Sequence, residues 1–142
     1  MHKKEIITIG LVSTASLGLY LLVSHLTFRL GFPLDDSWIH QTYARNFAAT
    51  GRMEYFAGQT SAGSTAPLWT ILLSPAYLLG LPPLLWTTLL GWICLVWCAW
   101  AAMLLWQTLW PEMAARSLWA GLVIVLSWSL LWAAGSGMET LL

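Results

Sequence analysis

Charge is what this chain has least of. Asp, Glu, Lys and Arg make up 8% of its 142 residues, six acidic and six basic, against roughly 25% in an ordinary soluble domain. So little charge excludes a water-soluble globular domain, and a 58% hydrophobic content excludes intrinsic disorder. Net charge is zero, so no basic face is available to neutralise a phosphate backbone, and nucleic acid is excluded as a partner. Cysteine is almost missing: Cys94 and Cys98 are the only two, which excludes a disulfide framework. They stand at i, i+4 in an apolar helix without further zinc ligands nearby, and read as small core residues. Tryptophan, by contrast, is abundant, with eleven in the chain, as expected of rings placed at membrane–water interfaces. The length predicts one domain, and the composition makes residues 1–142 a single integral membrane domain of all-α class.

The few charges divide the chain. Lys3, Lys4 and Glu5 precede an uncharged stretch over 6–28, long enough to cross a bilayer and too long for the apolar region of a signal peptide. The lysine pair predicts a cytoplasmic N-terminus. Asp35, Asp36, Arg45, Arg52 and Glu54 then cluster before a second uncharged stretch. Within it, Pro67 opens an apolar segment, 67–80, that is short for a span and suits an interfacial helix. Residues 84–106 form a second span and 118–134 a third. The favoured arrangement is three transmembrane helices plus two juxtamembrane helices, 35–50 and 67–80. It puts Lys4 and Arg116 on the cytoplasmic face and the 35–54 loop with Glu139 on the outer face. The alternative is four transmembrane helices, with 67–80 also crossing.

Asp35-Asp36-Ser37 predicts a helix start, because short oxygen-bearing side chains cap free N–H groups. From there Ile39, Tyr43 and Phe47 recur every fourth residue and predict an apolar stripe. Asp36, His40 and Tyr43 share one side of this helix, and Arg45 faces roughly the other way. The Asp pair therefore has two readings. It is either a cap with a solvated neighbour, or a pair of carboxylates at headgroup depth that serve as base or as ligands for a hard divalent ion such as Mg or Mn. His40 is either structural or part of that site, and His25 is an interfacial residue near the end of the first span.

The segment 58–65, Gly-Gln-Thr-Ser-Ala-Gly-Ser-Thr, comes close to a phosphate loop. It carries Ser64 where the lysine of that motif must stand, and it is not a nucleophile elbow. It reads as a turn-rich linker, or as a loop whose N–H groups, with Ser64 and Thr65, touch a ligand phosphate. Trp38 and Trp69 are packing or interface residues, or platforms for a sugar or a lipid. Glu139 follows Ser136-Gly137-Met138 at the end of the last apolar run. A carboxylate deep in hydrocarbon is costly, so it should face water, a partner or a cavity.

Taken in order, these elements resemble a known family. A first span precedes Asp35-Asp36-Ser37-Trp38-Ile39-His40 and then Tyr43-Ala44-Arg45-Asn46. Gly51, the 58–65 loop, Pro67-Leu68-Trp69 and finally Gly137-Met138-Glu139-Thr140 follow. This is similar to the N-terminal module of GT-C glycosyltransferases, polytopic enzymes that use polyprenyl-phosphate sugars, and most similar to their bacterial arabinosyl- and mannosyltransferase-like members. The resemblance implies a bacterial inner-membrane protein that transfers a sugar to an acceptor hydroxyl on the extracytoplasmic side. It implies catalysis or metal binding by Asp35, Asp36 and Glu139, with Asp35 the preferred acid of the pair. His40, Tyr43, Arg45, Arg52, Ser64 and Thr65 would bind substrate. Members of the family are several times longer. That difference predicts a module that works with further transmembrane helices on another chain and transfers no sugar in isolation, its Glu139 frayed near the end of the sequence. The competing expectation is a small non-catalytic membrane subunit.

Overall fold

The computed structural model describes residues 3–142 and is built almost wholly of helices. Helix α1 is Lys3–Thr27, α2 Asp35–Thr50, α3 Pro67–Leu79 and α4 Pro83–Leu109. After a 3₁₀ turn at Pro111–Arg116 come α5, Ser117–Leu126, and α6, Trp128–Ser136. Between α2 and α3 lies a small antiparallel hairpin, β1 Glu54–Phe56 and β2 Gln59–Thr60, which the sequence reading did not anticipate.

Helix α1 satisfies its threonine hydroxyls internally: Thr8, Thr14 and Thr27 each donate to the carbonyl four residues back, at 2.7–2.9 Å, as suits an apolar helix. Helix α3 begins on a proline and ends at Gly80, whose φ of 66° is left-handed. Pro75 inside it cannot donate to the carbonyl of Ile71. The Ser74 hydroxyl donates there instead, at 2.8 Å, and the helix continues. At 13 residues and about 1.5 Å per residue, α3 is roughly 20 Å long. That is well short of the ~30 Å hydrocarbon core.

Two helices, α1 and α4, are each long and apolar enough to span, and a bent pair formed by α5 and α6 makes up to a third. The continuous last helix expected over 118–134 is therefore corrected. Ser127 is extended, with ψ 118°, and the two pieces meet at 55°. The sequence Ser127-Trp128-Ser129 explains the break. Serine side chains compete for local hydrogen bonds; here the two hydroxyls bond each other at 3.1 Å, and the Ser127 carbonyl starts the new helix by accepting from Leu131 N–H.

α1, α4, α5 and α6 pack as a bundle around Ile9, Leu17, Leu95, Ala99, Met103, Val125, Leu131 and Ala134. Contacts run from Ile9 beside Met103 and Gly121 at one end to Tyr20 beside Trp128 and Gly135 at the other. Arg116 and Glu139 consequently lie at opposite ends of the bundle. Helices α2 and α3 pack on one another at the Glu139 end through Ala44, Trp69 and Leu73. Gln41 ties this pair to α4: its amide donates to Thr87 Oγ1 at 2.8 Å and accepts from the Tyr77 hydroxyl at 2.7 Å.

Candidate functional site at the α2 end of the bundle

Helix α2 starts directly after Leu34, which is the N-cap and offers no side chain to it. Asp35 and Asp36 stand inside the first turn, not before it, which corrects the capping expectation. There they still oppose the positive end of the helix dipole, and Asp35 Oδ1 accepts the Asp36 N–H at 3.1 Å. Both are exposed. The helix ends at Gly51, left-handed with φ 70°.

The buried face of α2 consists of Ser37, His40, Gln41, Tyr43 and Ala44. Ile39 and Phe47 of the expected apolar stripe are only half-buried. Ser37, His40, Gln41 and Ala44 are spaced i, i+3, i+4, i+7, which is the period of one helix face. Three of these four residues are polar, so the face carries the helical period without the apolar recurrence that usually marks it.

That polar face receives the segment after α6. Ser37 Oγ donates to the Ser136 carbonyl at 2.8 Å. Trp69 Nε1 on α3 donates to the Gly137 carbonyl at 3.0 Å. His40 Nε2 meets Glu139 Oε2 at 3.0 Å. Gly137 itself has φ 83°, and a Cβ there would stand 2.5 Å from the Phe32 ring; backbone and space both demand glycine. Two further contacts hold the segment, Leu142 N–H to Glu139 O at 2.8 Å and Cys98 Sγ to Leu141 O at 3.8 Å. Glu139 thus sits on a segment bonded to α2, α3 and α4.

His40 is buried and the Glu139 side chain retains 29% of its exposure. In the tautomer with the proton on Nε2, that nitrogen donates to Oε2. Nδ1 then has a bare lone pair, and it is a buried side-chain atom without a hydrogen-bond partner. The result is an accessible carboxylate held in one orientation by a buried ring.

The other sequence-derived candidates fall into two groups. Tyr43 lies one turn beyond His40, and its hydroxyl bonds Ser61 Oγ. A Cβ on Gly63 would lie 2.6 Å from that hydroxyl, so the 58–65 loop approaches Tyr43 closely at this glycine. Ser64 Oγ bonds Thr70 Oγ1 at 3.0 Å, and Thr65 is exposed. Met53, Thr60, Ser61, Ser64 and Pro67 line an open cavity of about 550 Å³ beside this loop. Arg45 and Arg52 form the second group. Both are exposed, and among the described residues neither pairs with Glu139, Asp35 or Asp36. Burial raises the Tyr77 hydroxyl pKa, and the positive charge of Arg45 partly offsets this.

The structure does not gather Asp35, Asp36 and Glu139 as ion ligands. Among the described residues no three His, Cys, Asp or Glu side chains are grouped to hold a metal. Glu139 Oε2 is engaged by His40 and Asp35 Oδ1 by an amide. Trp69 is not a sugar platform either, being buried at 2% exposure with its N–H engaged; Trp38 is exposed and meets Phe32 edge-on.

Glu54 had no assigned role. It is 1% exposed and accepts the Gly58 N–H through Oε2 at 2.9 Å. Asn46 donates to the Glu54 and Tyr55 carbonyls at 3.0 and 2.9 Å. These bonds fasten the hairpin to α2. Compared with known proteins, the chain matches no family model, no curated protein and no solved structure.

Proposed function

We propose that the chain is a glycosyltransferase module of the membrane surface, acting on a polyprenyl-phosphate sugar with Glu139 as its base. One observation carries this reading. The Glu139 carboxylate, 99 residues from His40 in sequence, is brought to 3.0 Å of that ring at the end of the helix that opens with Asp35-Asp36. An accessible carboxylate with a fixed orientation suits proton abstraction. Glu139 takes the proton of the acceptor hydroxyl, the oxygen bonds the anomeric carbon, and the bond from that carbon to the phosphate oxygen breaks, its electron pair leaving with the phosphate. His40 acts through Glu139 as a positioning residue. Asp36, four residues before His40, shares its side of the helix, whereas Asp35 already accepts an amide; the family resemblance favours Asp35. Arg45 and Arg52 are the cations available on α2 and the following turn.

The test replaces the gene copy in the native host, so that any partner helices are present. Membranes are then supplied with labelled lipid-phosphate sugars. Glu139→Gln should lower transfer by about 10²–10⁴-fold, the range for loss of a general base. His40→Gln should lower the maximal rate and shift its pH profile. Asp35→Asn and Asp36→Asn should leave insertion and expression nearly unchanged, and at least one should abolish transfer. Equal transfer in wild-type and Glu139→Gln membranes overturns the reading in favour of a non-catalytic subunit.

We take the site to lie on the extracytoplasmic face, as the lysine pair before α1 and Arg116 suggest; Arg45 and Arg52 are then external, on a structured loop that crosses despite its charge. Single cysteines at the exposed positions Ala57, Ala115 and Thr140, with Cys94 and Cys98 changed to Ala, report this directly. In intact cells an impermeant maleimide should label Ala57→Cys and Thr140→Cys and spare Ala115→Cys. Labelling of position 115 from outside would reverse the orientation.

A further inference from the structure

A second cavity, of about 680 Å³, opens beside the end of α1 and is lined by Tyr20, Ser24, Arg29, Phe32, Trp128 and Trp132 among others. We infer that it binds one anionic glycerophospholipid of the surrounding bilayer, with the phosphate on Arg29 and an acyl chain along the aromatic wall.

Three observations carry this inference. The cavity lining contains a single formally charged residue, Arg29, and no acid. Among the described residues, the Arg29 guanidinium, the Tyr20 hydroxyl and the Trp128 and Trp132 indole N–H groups make no hydrogen bond. Among the described residues the groove therefore presents an unpaired cation at its mouth and aromatic rings below it, which is the complement of a headgroup phosphate with its acyl chain. Its depth also fits. Arg29 stands two residues beyond the C-terminal end of the α1 span, where a long cationic side chain reaches headgroup level. Tyr20, more than two turns deeper, meets Trp128 edge-on at 5.4 Å and presents an apolar wall below it. The volume lies within the ~300–1,000 Å³ of ligand sites.

The break at Ser127 makes the site. A straight helix through 118–134 would not turn the Trp128–Ser136 segment by 55°, and Trp128 and Trp132 face this groove because it does. The groove also adjoins the candidate site, because Phe32 lines it and packs on Gly137. The inference does not depend on sugar transfer, since neither His40 nor Glu139 lines the groove.

The experiment uses the full chain in nanodiscs or micelles containing equal amounts of phosphatidylglycerol and phosphatidylcholine, with retained lipid read by native mass spectrometry. Wild type should retain phosphatidylglycerol preferentially. Arg29→Gln should reduce that preference about fivefold, the weight of one basic residue at a lipid headgroup. Arg29→Lys should keep most of it, and Arg116→Gln, at the other end of the bundle, should change nothing. Trp132→Ala should lower retention of both lipids by removing the apolar wall. Arg29 is exposed, so its variants should keep the wild-type far-UV spectrum. The inference is overturned if Arg29→Gln keeps the wild-type preference, or if Arg116→Gln loses as much. It is also overturned if inorganic phosphate at millimolar concentration displaces the lipid, or if added polyprenyl phosphate is retained in place of phosphatidylglycerol.

Discussion

Gly91→Leu should unfold the bundle more readily than any other single change on α4. A Cβ at position 91 would stand 2.0 Å from the Ala134 carbonyl oxygen and 2.8 Å from its carbon. The obstruction is main chain, so no rotamer change relieves it; α6 must move away from α4. Small residues let backbones approach in this way in membrane bundles, where dispersion contacts and not water exclusion hold helices together. Overpacking a well-filled core costs about 1–3 kcal/mol when side chains adjust, and with a rigid carbonyl the loss should be at or above the upper end. Gly91→Ala should fall between Gly91→Leu and wild type. Gly18→Ala is the control, because nothing lies within 4 Å of a Cβ there and a helical glycine gains about 0.5–1 kcal/mol on becoming alanine. Denaturation in mixed micelles gives the comparison. If Gly91→Leu proves as stable as Gly18→Ala, α4 and α6 do not pack as described.

The same pair of helices shows which parts of the architecture the residues announced. Long uncharged runs and prolines at positions 67 and 83 give the helices away, since few other structures satisfy an apolar backbone. The all-helical class and the short α3 were legible on those grounds. The bend at Ser127 was not. Leu118 to Ala134 is uncharged throughout, and hydropathy is blind to which serine will leave the helix. It took Tyr20 on α1, meeting Trp128 across the bundle, to show where the second piece packs.

The candidate site was half legible for a related reason. Asp35, Asp36, His40 and Glu139 stand out because charge is so scarce here. Their spatial relation does not, because it depends on Ser136–Thr140 turning back onto α2 after α6. The residues that enforce this turn are Ser37, Trp69 and Gly137. None of them is ionisable, and a search for chemistry ranks such residues last. Trp69 in particular reads as one interfacial tryptophan among eleven, yet it alone joins α3 to the Gly137 carbonyl.

Trp69→Ala should therefore damage the fold and the site together. The ring is among the largest fully buried side chains and packs with Ala44 and Leu73 between α2 and α3. Truncating a buried tryptophan costs about 3–5 kcal/mol. The Gly137 carbonyl also loses its donor, and an unsatisfied buried acceptor costs about 1–3 kcal/mol. The two costs overlap, because the opened cavity admits other partners to the carbonyl. Trp69→Phe separates them: it keeps most of the packing and removes the N–H, so its loss should stay near the hydrogen-bond value. Both variants should loosen the 136–140 segment, since Gly137 is its second point of attachment after Ser136. Amide exchange at residues 138–142 should quicken in Trp69→Phe while exchange in α4 stays at its wild-type rate. Trp69→Ala should add global destabilisation to that local effect. In the same assay Trp69→Phe should weaken the coupling between His40→Gln and Glu139→Gln in a double-mutant cycle, because a carboxylate on a loosened segment no longer meets a fixed ring. If exchange at 138–142 is unchanged in Trp69→Phe, the indole bond does not hold Glu139 in place, and the burden shifts to Ser37 and Gly137.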